Sequence, residues 1–533
     1  MRRALALGLL AGLTVPACRR EAAGPPPERW LPAEGSAAVV VPGLGEAARQ
    51  LGAVYRTVAT VPAAAALAEW YGAVKGQLGF DPLEHRGLEE AGLDPAGGAA
   101  LSFSRGRPAV AVLPVADLGR FDATARRLAR DRMGAGQRVA TMGGGHQVVT
   151  FRREAAAPAA LAYALAGRYA LVATGAGAPA AVTAAASLEE PRSLWKSAAY
   201  GEAVAALGPG YPALAFAPAG SPALADLPAA RDGAALGVRA SSGSLAVRLA
   251  LRLAPDRAPG WAVLAGPGPE AARAAGLEEA RLLAPEAALA VRWGGDLAAL
   301  WRRAHPWLPS RLTGALASVR LDLDGELLSG LAPGAALSLS IAPTFTLAEF
   351  SSPSPDLRRA DPFRLLRLEI AARVRDPARV RAFSARVAQA APRWGARVAA
   401  RGAAWTLSYD KGRLGWSLQG ERLLVAGGPG RLEALERRMG SGGHEAPGAA
   451  ARAGIEGGVG GAVLDVERLV ASVQALPDEA YGTGPNAFVM RSLADRFLEP
   501  ASRVQAVALR FDLLPAAALF DLEIEGRQAP RPP

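Results

Sequence analysis

The sequence predicts an α+β protein made of two duplicated domains, each a largely antiparallel sheet covered by helices. Three observations predict it. First, three patterns recur in the same order at nearly constant spacing. "LPAEGSAAVVVPGLGEAARQL" from Leu31 is matched by "LAPEAALAVRWGGDLAALW" from Leu283. "AVLPVADLGRFDATARRLA", around Asp117, is matched by "EIAARVRDPARVRAFSARVA", around Asp376, and "LAGRYALVATGAGAPAAVTAA", around Gly167, by "LQGERLLVAGGPGRLEALERR", around Gly420. Recurrence at a fixed long period is the mark of a repeated structural unit. Second, short alternating apolar runs, the period of half-buried strands, are interleaved with runs of helical period. Third, 533 residues exceed one ordinary core, and 50% apolar with 20% charged residues is a globular balance.

The elements follow in order. Met1-Arg2-Arg3 is a basic start, and Ala4 to Val15 is an apolar run too short to span a bilayer. Val15-Pro16-Ala17-Cys18 resembles the bacterial lipobox, with Pro16 where a small residue is usual. The resemblance implies that residues 1–17 are a signal peptide and that Cys18, the only cysteine, is acylated and becomes the new N-terminus. Each buried CH₂ is worth about 0.8 kcal/mol, so two or three acyl chains would hold the chain at a membrane. Arg19 stands where an Asp would signal inner-membrane retention, so delivery to the periplasmic face of the outer membrane is expected. Residues 18–30, with their Pro run, read as an extended tether of roughly 30 Å at about 3 Å per residue. No other segment is apolar for long enough to cross a membrane. One cysteine also rules out an intrachain disulfide.

The first repeat is expected over 31–260, a linker over 261–282, the second repeat over 283–527 and a disordered tail over 528–533. Each repeat opens with a strand, Ala37 to Val41 or Ala288 to Trp293, that leads into a helix. "GGAALSFS" (97–104) and "GAALSLSI" (334–341) are the next strands. A helix then starts at an acidic cap, Asp117 or Asp376, whose carboxylate suits first-turn amides and the helix dipole. Pro377 takes the first helical position, where no amide is needed. Leu118, Phe121 and Leu128, like Val380, Phe383 and Val387, mark the buried stripes. Strand pairs follow ("QVVTFRR" and "YALVATG"; "AWTLSYD" and "RLLVAGG"), then a helix, and each repeat closes on a strand, "SLAVRLALRL" or "ALFDLEIEG".

No segment carries a recognisable reaction. "VVVPGLGEAA" imitates a dinucleotide fingerprint through Gly43 and Gly45, but its counterpart "VRWGGDLAA" lacks G-x-G, and glycine turns explain both. A phosphate loop needs Gly directly before its Lys, and Lys75, Lys196 and Lys411 follow Val74, Trp195 and Asp410. His85, His146, His305 and His444 are dispersed, so no metal is expected. "LDLDGELL", with Asp322, Asp324 and Glu326, starts like a calcium loop but has Pro333 where the closing Glu belongs. Its alternation reads as a strand with acids on the wet face. There is no G-x-S-x-G, and no cofactor is expected.

The formal charge of +11 suits an anionic partner. Sparse aromatics, not interleaved with basic residues, argue against nucleic acid. Arginine supplies nearly all the positive charge, as in GC-rich bacterial genes. The densest run, read as a helical region over 372–401, holds Arg373, Arg375, Arg379, Arg381, Arg386, Arg393, Arg397 and Arg401, the candidate anionic contact.

"EEPRSLWKSAAYGEAVAALGPGYPALAFA" (189–217) carries a family resemblance. Ser193-Leu194, Tyr200 and Leu207, with the opening "LPAEGSAAVVV", resemble a bacterial secreted and lipoprotein family known only as a domain of unknown function. The resemblance covers most of the first repeat and implies an envelope location without catalytic residues. Read alone, Tyr200 and Leu207 are a buried helix face. The expectation is therefore a lipid-anchored, non-enzymatic envelope protein that binds a protein, a lipid or a polymer. A carrier of a hydrophobic or anionic ligand, and an enzyme with a dispersed site, remain the alternatives.

Overall fold

The computed structural model describes residues 24–34, 36–59, 65–104, 106–221, 224, 230, 232–241, 243–307, 321–341, 366–409, 412–428, 430–442, 456–476, 481 and 485–527. The expected signal peptide, Cys18 and the expected tail lie outside these residues. The fold is mixed α/β, an extensive antiparallel sheet flanked by helices and not closed into a barrel. The chain divides into two compact units. One runs to Ala254 and includes Ala516–Leu519, and the other starts at Pro255.

The first unit holds β1 (Ser36–Val41), β2 (Ala99–Ser104), β3 (Val110–Pro114), β4 (Gln137–Gly143), β5 (His146–Arg152), β6 (Leu161–Ala166), β7 (Tyr169–Thr174), β8 (Ala213–Pro218), β9 (Gly233–Ser241) and β10 (Ser244–Arg252). Its helices are α1 (Leu44–Ala59), α2 (Ala65–Leu78), α3 (His85–Glu90), α4 (Leu118–Met133), α5 (Ala178–Ala186) and α6 (Ala198–Leu207). The ladder runs β4-β5-β6-β7-β3-β2-β1-β8-β9-β10, antiparallel throughout. Asp117 caps α4 by accepting from the Arg120 amide at 3.0 Å, and Gly134 ends the helix in the left-handed region. The helix lays Phe121, Ala125 and Ala129 on Val149, Phe151, Leu161 and Tyr163. Each large side chain buried this way contributes about 1.5–3 kcal/mol. The alternate residues, such as Val148 and Leu171, face α5 on the other side.

The second unit starts with α7 (Ala258–Ala262), α8 (Pro269–Ala274) and α9 (Leu277–Arg281). It continues with β11 (Leu289–Trp293), α10 (Leu297–Ala304), β12 (Leu331–Ile341), β13 (Leu366–Val374), α11 (Pro377–Ala390), β14 (Ala396–Arg401), β15 (Ala404–Tyr409), β16 (Gly412–Gln419), β17 (Arg422–Gly427), α12 (Arg431–Gly440), β18 (Gly460–Asp465), α13 (Val466–Gln474), α14 (Pro485–Ala501), β19 (Val504–Leu514) and β20 (Ala517–Gly526). Its ladder, β14-β15-β16-β17-β13-β12-β11-β18-β19-β20, repeats the first strand for strand. Asp376 caps α11 as Asp117 caps α4, at 3.1 Å from the Arg379 amide. Val380 and Val387 of α11 pack on Ala372, Trp416 and Leu423. Leu432 and Leu435 of α12 pack on Ala371, Leu424 and Ala426, the opposite face.

Three expectations change. Of the stretch 18–30 expected as a tether, the described part, from residue 24, runs against the first unit: Pro27 is buried, as is Leu31 just beyond, and Pro32 bridges to Ser193. The stretch 261–282 is folded into the second unit, where Arg273 of α8 makes a two-pronged ion pair with Asp512 at 2.9 and 3.0 Å. Residues 323–327 form a π-helical turn instead of a strand, because Asp322 turns back to accept from the Gly325 amide at 3.0 Å.

Candidate functional site

The arginines expected as one anionic contact fall into different environments. The region is a strand end, a helix over 377–390, a short turn and another strand, not a continuous helix. Arg373, on β13, pairs with Glu278 at 2.9 Å and Glu279 at 3.1 Å, and the charge on Glu279, with that hydrogen bonding, holds the guanidinium above its ordinary pKa. Arg379 reaches the Gly325 carbonyl at 3.1 Å, and Arg386 pairs with Glu326 at 2.5 Å. Arg373 and Arg386 are thus paired with glutamates distant in sequence, and Arg379 has its own cap residue Asp376 at 3.8 Å. Arg375, Arg381, Arg393, Arg397 and Arg401 are exposed and have no side-chain partner among the described residues.

Even these five do not share a face. Val398 of β14 packs toward α11. Strand alternation therefore turns Arg397 and Arg401 to the α12 side, away from Arg381 on the outer surface of α11. Arg397 lies beside Ser408 on β15, which in turn lies beside Arg413 on β16, so this face carries a row of two cations around a hydroxyl.

The 189–217 segment acts as the cradle for the incoming chain. Tyr200 of α6 donates to Glu28 at 2.9 Å, and burial followed by the Glu28 charge pushes the phenol well above its usual range. It is a neutral donor, not a base. Arg29 donates to the Leu188 carbonyl at 2.7 Å, and the Leu194 amide donates to the Leu31 carbonyl at 2.7 Å. Ser193, Leu194, Tyr200 and Leu207 are all buried, as the helix-face reading of the last two requires.

The sequence reading missed a buried ionic network in the second unit. Glu369, 1% exposed in the middle of β13, lies 2.9 Å from Arg431 and also receives Arg438. Arg438 donates onward to the Leu282 carbonyl at 2.7 Å, and Arg431 pairs with Glu286 at 2.9 Å. Fully buried Glu279 takes Arg373 and, at 3.4 Å, Arg422. Arg292 of β11 is also 1% exposed and donates to the Ala272, Arg273 and Ala275 carbonyls where α8 ends, at 3.3, 3.1 and 2.6 Å. Cations belong at that pole of a helix. Burial lowers the Arg292 pKa, with the charge on Glu456 opposing it. The register puts uncharged residues at the matching places of the first unit: Val40 for Arg292, Val110 for Glu369 and Tyr169 for Arg422. The readable signal was a charge inside an apolar strand, as in "LAVRWGG" and "LRLEIAARV".

Acid–base candidates elsewhere are likewise held by partners. The Asp122 carboxylate accepts from Tyr163 at 2.6 Å and Arg138 at 3.1 Å, tying α4 to β4 and β6. Asp81 takes Lys75 at 2.8 Å and Tyr71. His85 sits on α3 beside Glu89 at 3.4 Å, the His305 ring lies tilted at 5.3 Å from Trp301, and His444 lies outside the described residues. Among the described residues, no group of three or more His, Cys, Asp or Glu side chains is placed to hold a metal. No described helix is long and apolar enough to cross a membrane. One open cleft, of about 440 Å³, lies between the β4–β5 hairpin and α5, and another, of about 650 Å³, lies along α14. No family model matches this chain, and no curated protein or solved structure is significantly similar to it.

Proposed function

We propose that this chain is a lipid-anchored protein of the bacterial cell envelope with a binding or scaffold role, built by internal duplication of one α+β domain. The observation that carries the address is Cys18, the only cysteine, directly behind a basic start and an apolar run. The identical strand order of the two units supports the duplication. The carboxylates of Asp81, Asp122, Glu279 and Glu369 are held in ion pairs, an arrangement suited to a structural or binding role. The exposed arginines that do share a face, Arg397, Arg401 and Arg413 on the α12 side of β14 and β16, favour an anionic envelope lipid or polymer as partner.

Metabolic labelling with a fatty acid tests the anchor. The wild-type chain is expected to take up label and stay with the membranes, and Cys18→Ser to lose label and appear in the soluble periplasmic fraction. Unlabelled wild-type protein would overturn the reading. A carrier role is the second reading, favoured by the cleft beside α5. Native mass spectrometry of protein isolated from its own cells would reveal a retained ligand as extra mass that denaturation releases.

A further inference from the structure

Among the described residues β4 pairs only with β5, so its far side is an open edge. The hairpin closes through Gly144 and Gly145, at φ 59° and 81°. That two-residue turn follows the twist of the strands and makes its flanking pair, Gly143 and His146, a hydrogen-bonded one. Hydrogen bonding alternates from there. Gly143, Thr141, Val139 and Gln137 point their amides and carbonyls at β5. Met142, Ala140 and Arg138 point theirs outward.

On the α5 side the surface along this edge lacks charge, and on the α4 side the edge carries Arg138, paired with Asp122. The cleft beside it is lined by Thr141, Gly143, Val148, Ala180, Thr183 and Ala184, among others that are also uncharged. The helix that walls it, "APAAVTAAA", has no charged residue, and Met142 at the hairpin tip is 73% exposed. Edge strands are ordinarily guarded by charges against strand addition. The second unit has such a guard. Val139, Thr150 and Ala162 line up across the first ladder as Ala399, Thr406 and Gly415 do across the second. Thr141 therefore matches Arg401, Gln137 matches Arg397, and neutral α5 matches the charged "RLEALERRMG" of α12.

The geometry points to a homotypic interface: a second copy of this chain adds its own β4 to this edge, antiparallel about Ala140. That register pairs Arg138 with Met142, Val139 with Thr141 and Ala140 with itself. All outward amides and carbonyls of Arg138, Ala140 and Met142 then find partners. Val139 and Thr141 form a β-branched pair on the cleft face, and the Arg138 stem covers Met142. No like charges meet. The one cation on the edge, Arg138, is already tied to Asp122 at 3.1 Å, so the partner that fits is a neutral strand of this same composition. The interface is isologous, and the two-fold closes it at a dimer.

Sedimentation of the full-length chain in detergent, across a concentration series, tests this. The wild type is expected to dimerise. Thr141→Arg, which installs the second unit's guard, should weaken association by at least about tenfold (about 1.4 kcal/mol). Ala399→Arg, on the other edge strand, should leave it unchanged. Ala140→Cys should give a disulfide-linked dimer beyond any wild-type background from Cys18, since such pairs hold Cα atoms about 5.5 Å apart, within disulfide reach. A wild-type monomer at every concentration overturns the proposal, whether or not the edge accepts a foreign strand. So does a dimer that Thr141→Arg does not weaken, or an Ala140→Cys chain that stays uncrosslinked.

Discussion

Glu369 shows what a single buried charge does here. Removing it alone leaves Arg438 and Arg431 facing an apolar strand, and breaking a buried pair this way costs about 3–5 kcal/mol. Glu369→Val should therefore lower the urea midpoint sharply. Replacing the three that meet at Glu369 with their first-unit counterparts, Glu369→Val with Arg431→Ala and Arg438→Ala, should recover much of the loss, because apolar packing then stands in for the buried ion pairs and only half-exposed Glu286 loses its partner. Tyr163 gives a pH test. Burial first, then the hydrogen bond to Asp122, raises its phenol to about 12. An unfolded tyrosine ionises near pH 10. The folded state thus keeps its proton longer, and this part of the stability is present below pH 10 and lost as pH rises toward 12. Tyr163→Phe should flatten that alkaline decline. At the acid end, burial would raise the Asp122 carboxyl, but hydrogen bonds from Tyr163 and Arg138 outweigh it and hold it below the usual range. Its contribution is present above about pH 4 and lost as pH falls further, a limb Asp122→Asn should remove.

At the scale of elements, the caps were legible because they are local. Asp117 and Asp376 precede helical stripes at the right distance, and each carboxylate accepts the expected amide. Asp376→Ala should destabilise the second unit by about 1 kcal/mol, read as a shift in its urea transition. The turn at 323–327 was not legible, since "LDLDGELL" alternates as a strand does, and only the Asp322 cap against Gly325 decides otherwise. The Arg run over 372–401 misled for a related reason. Arg spacing in sequence says nothing of the glutamates that arrive from far along the chain, such as Glu278 and Glu326, to neutralise Arg373 and Arg386.

For the whole molecule, the recurrence of three sequence patterns foretold a recurrence of strand order, and that part of the fold was readable because apolar periodicity dictates it. Charge was the part that escaped. The units differ in where they place charge: the second has Glu369 and Arg292 inside its sheet and Arg397 and Arg401 on the α12 face of its edge strand, where the first has Val110, Val40, Gln137 and Thr141. Patterning rules average over such positions. The docked segment 24–31 has a further consequence on the lipid-anchored reading. Only six residues, Cys18 to Ala23, precede Gly24, and at no more than about 3.6 Å each they reach about 20 Å. The volume scanned from a fixed point grows as the cube of the leash, so the first unit explores about a third of the space a 30 Å leash would give it. An anchored chain on so short a leash meets neighbours in its own leaflet far more often than anything deeper in the envelope.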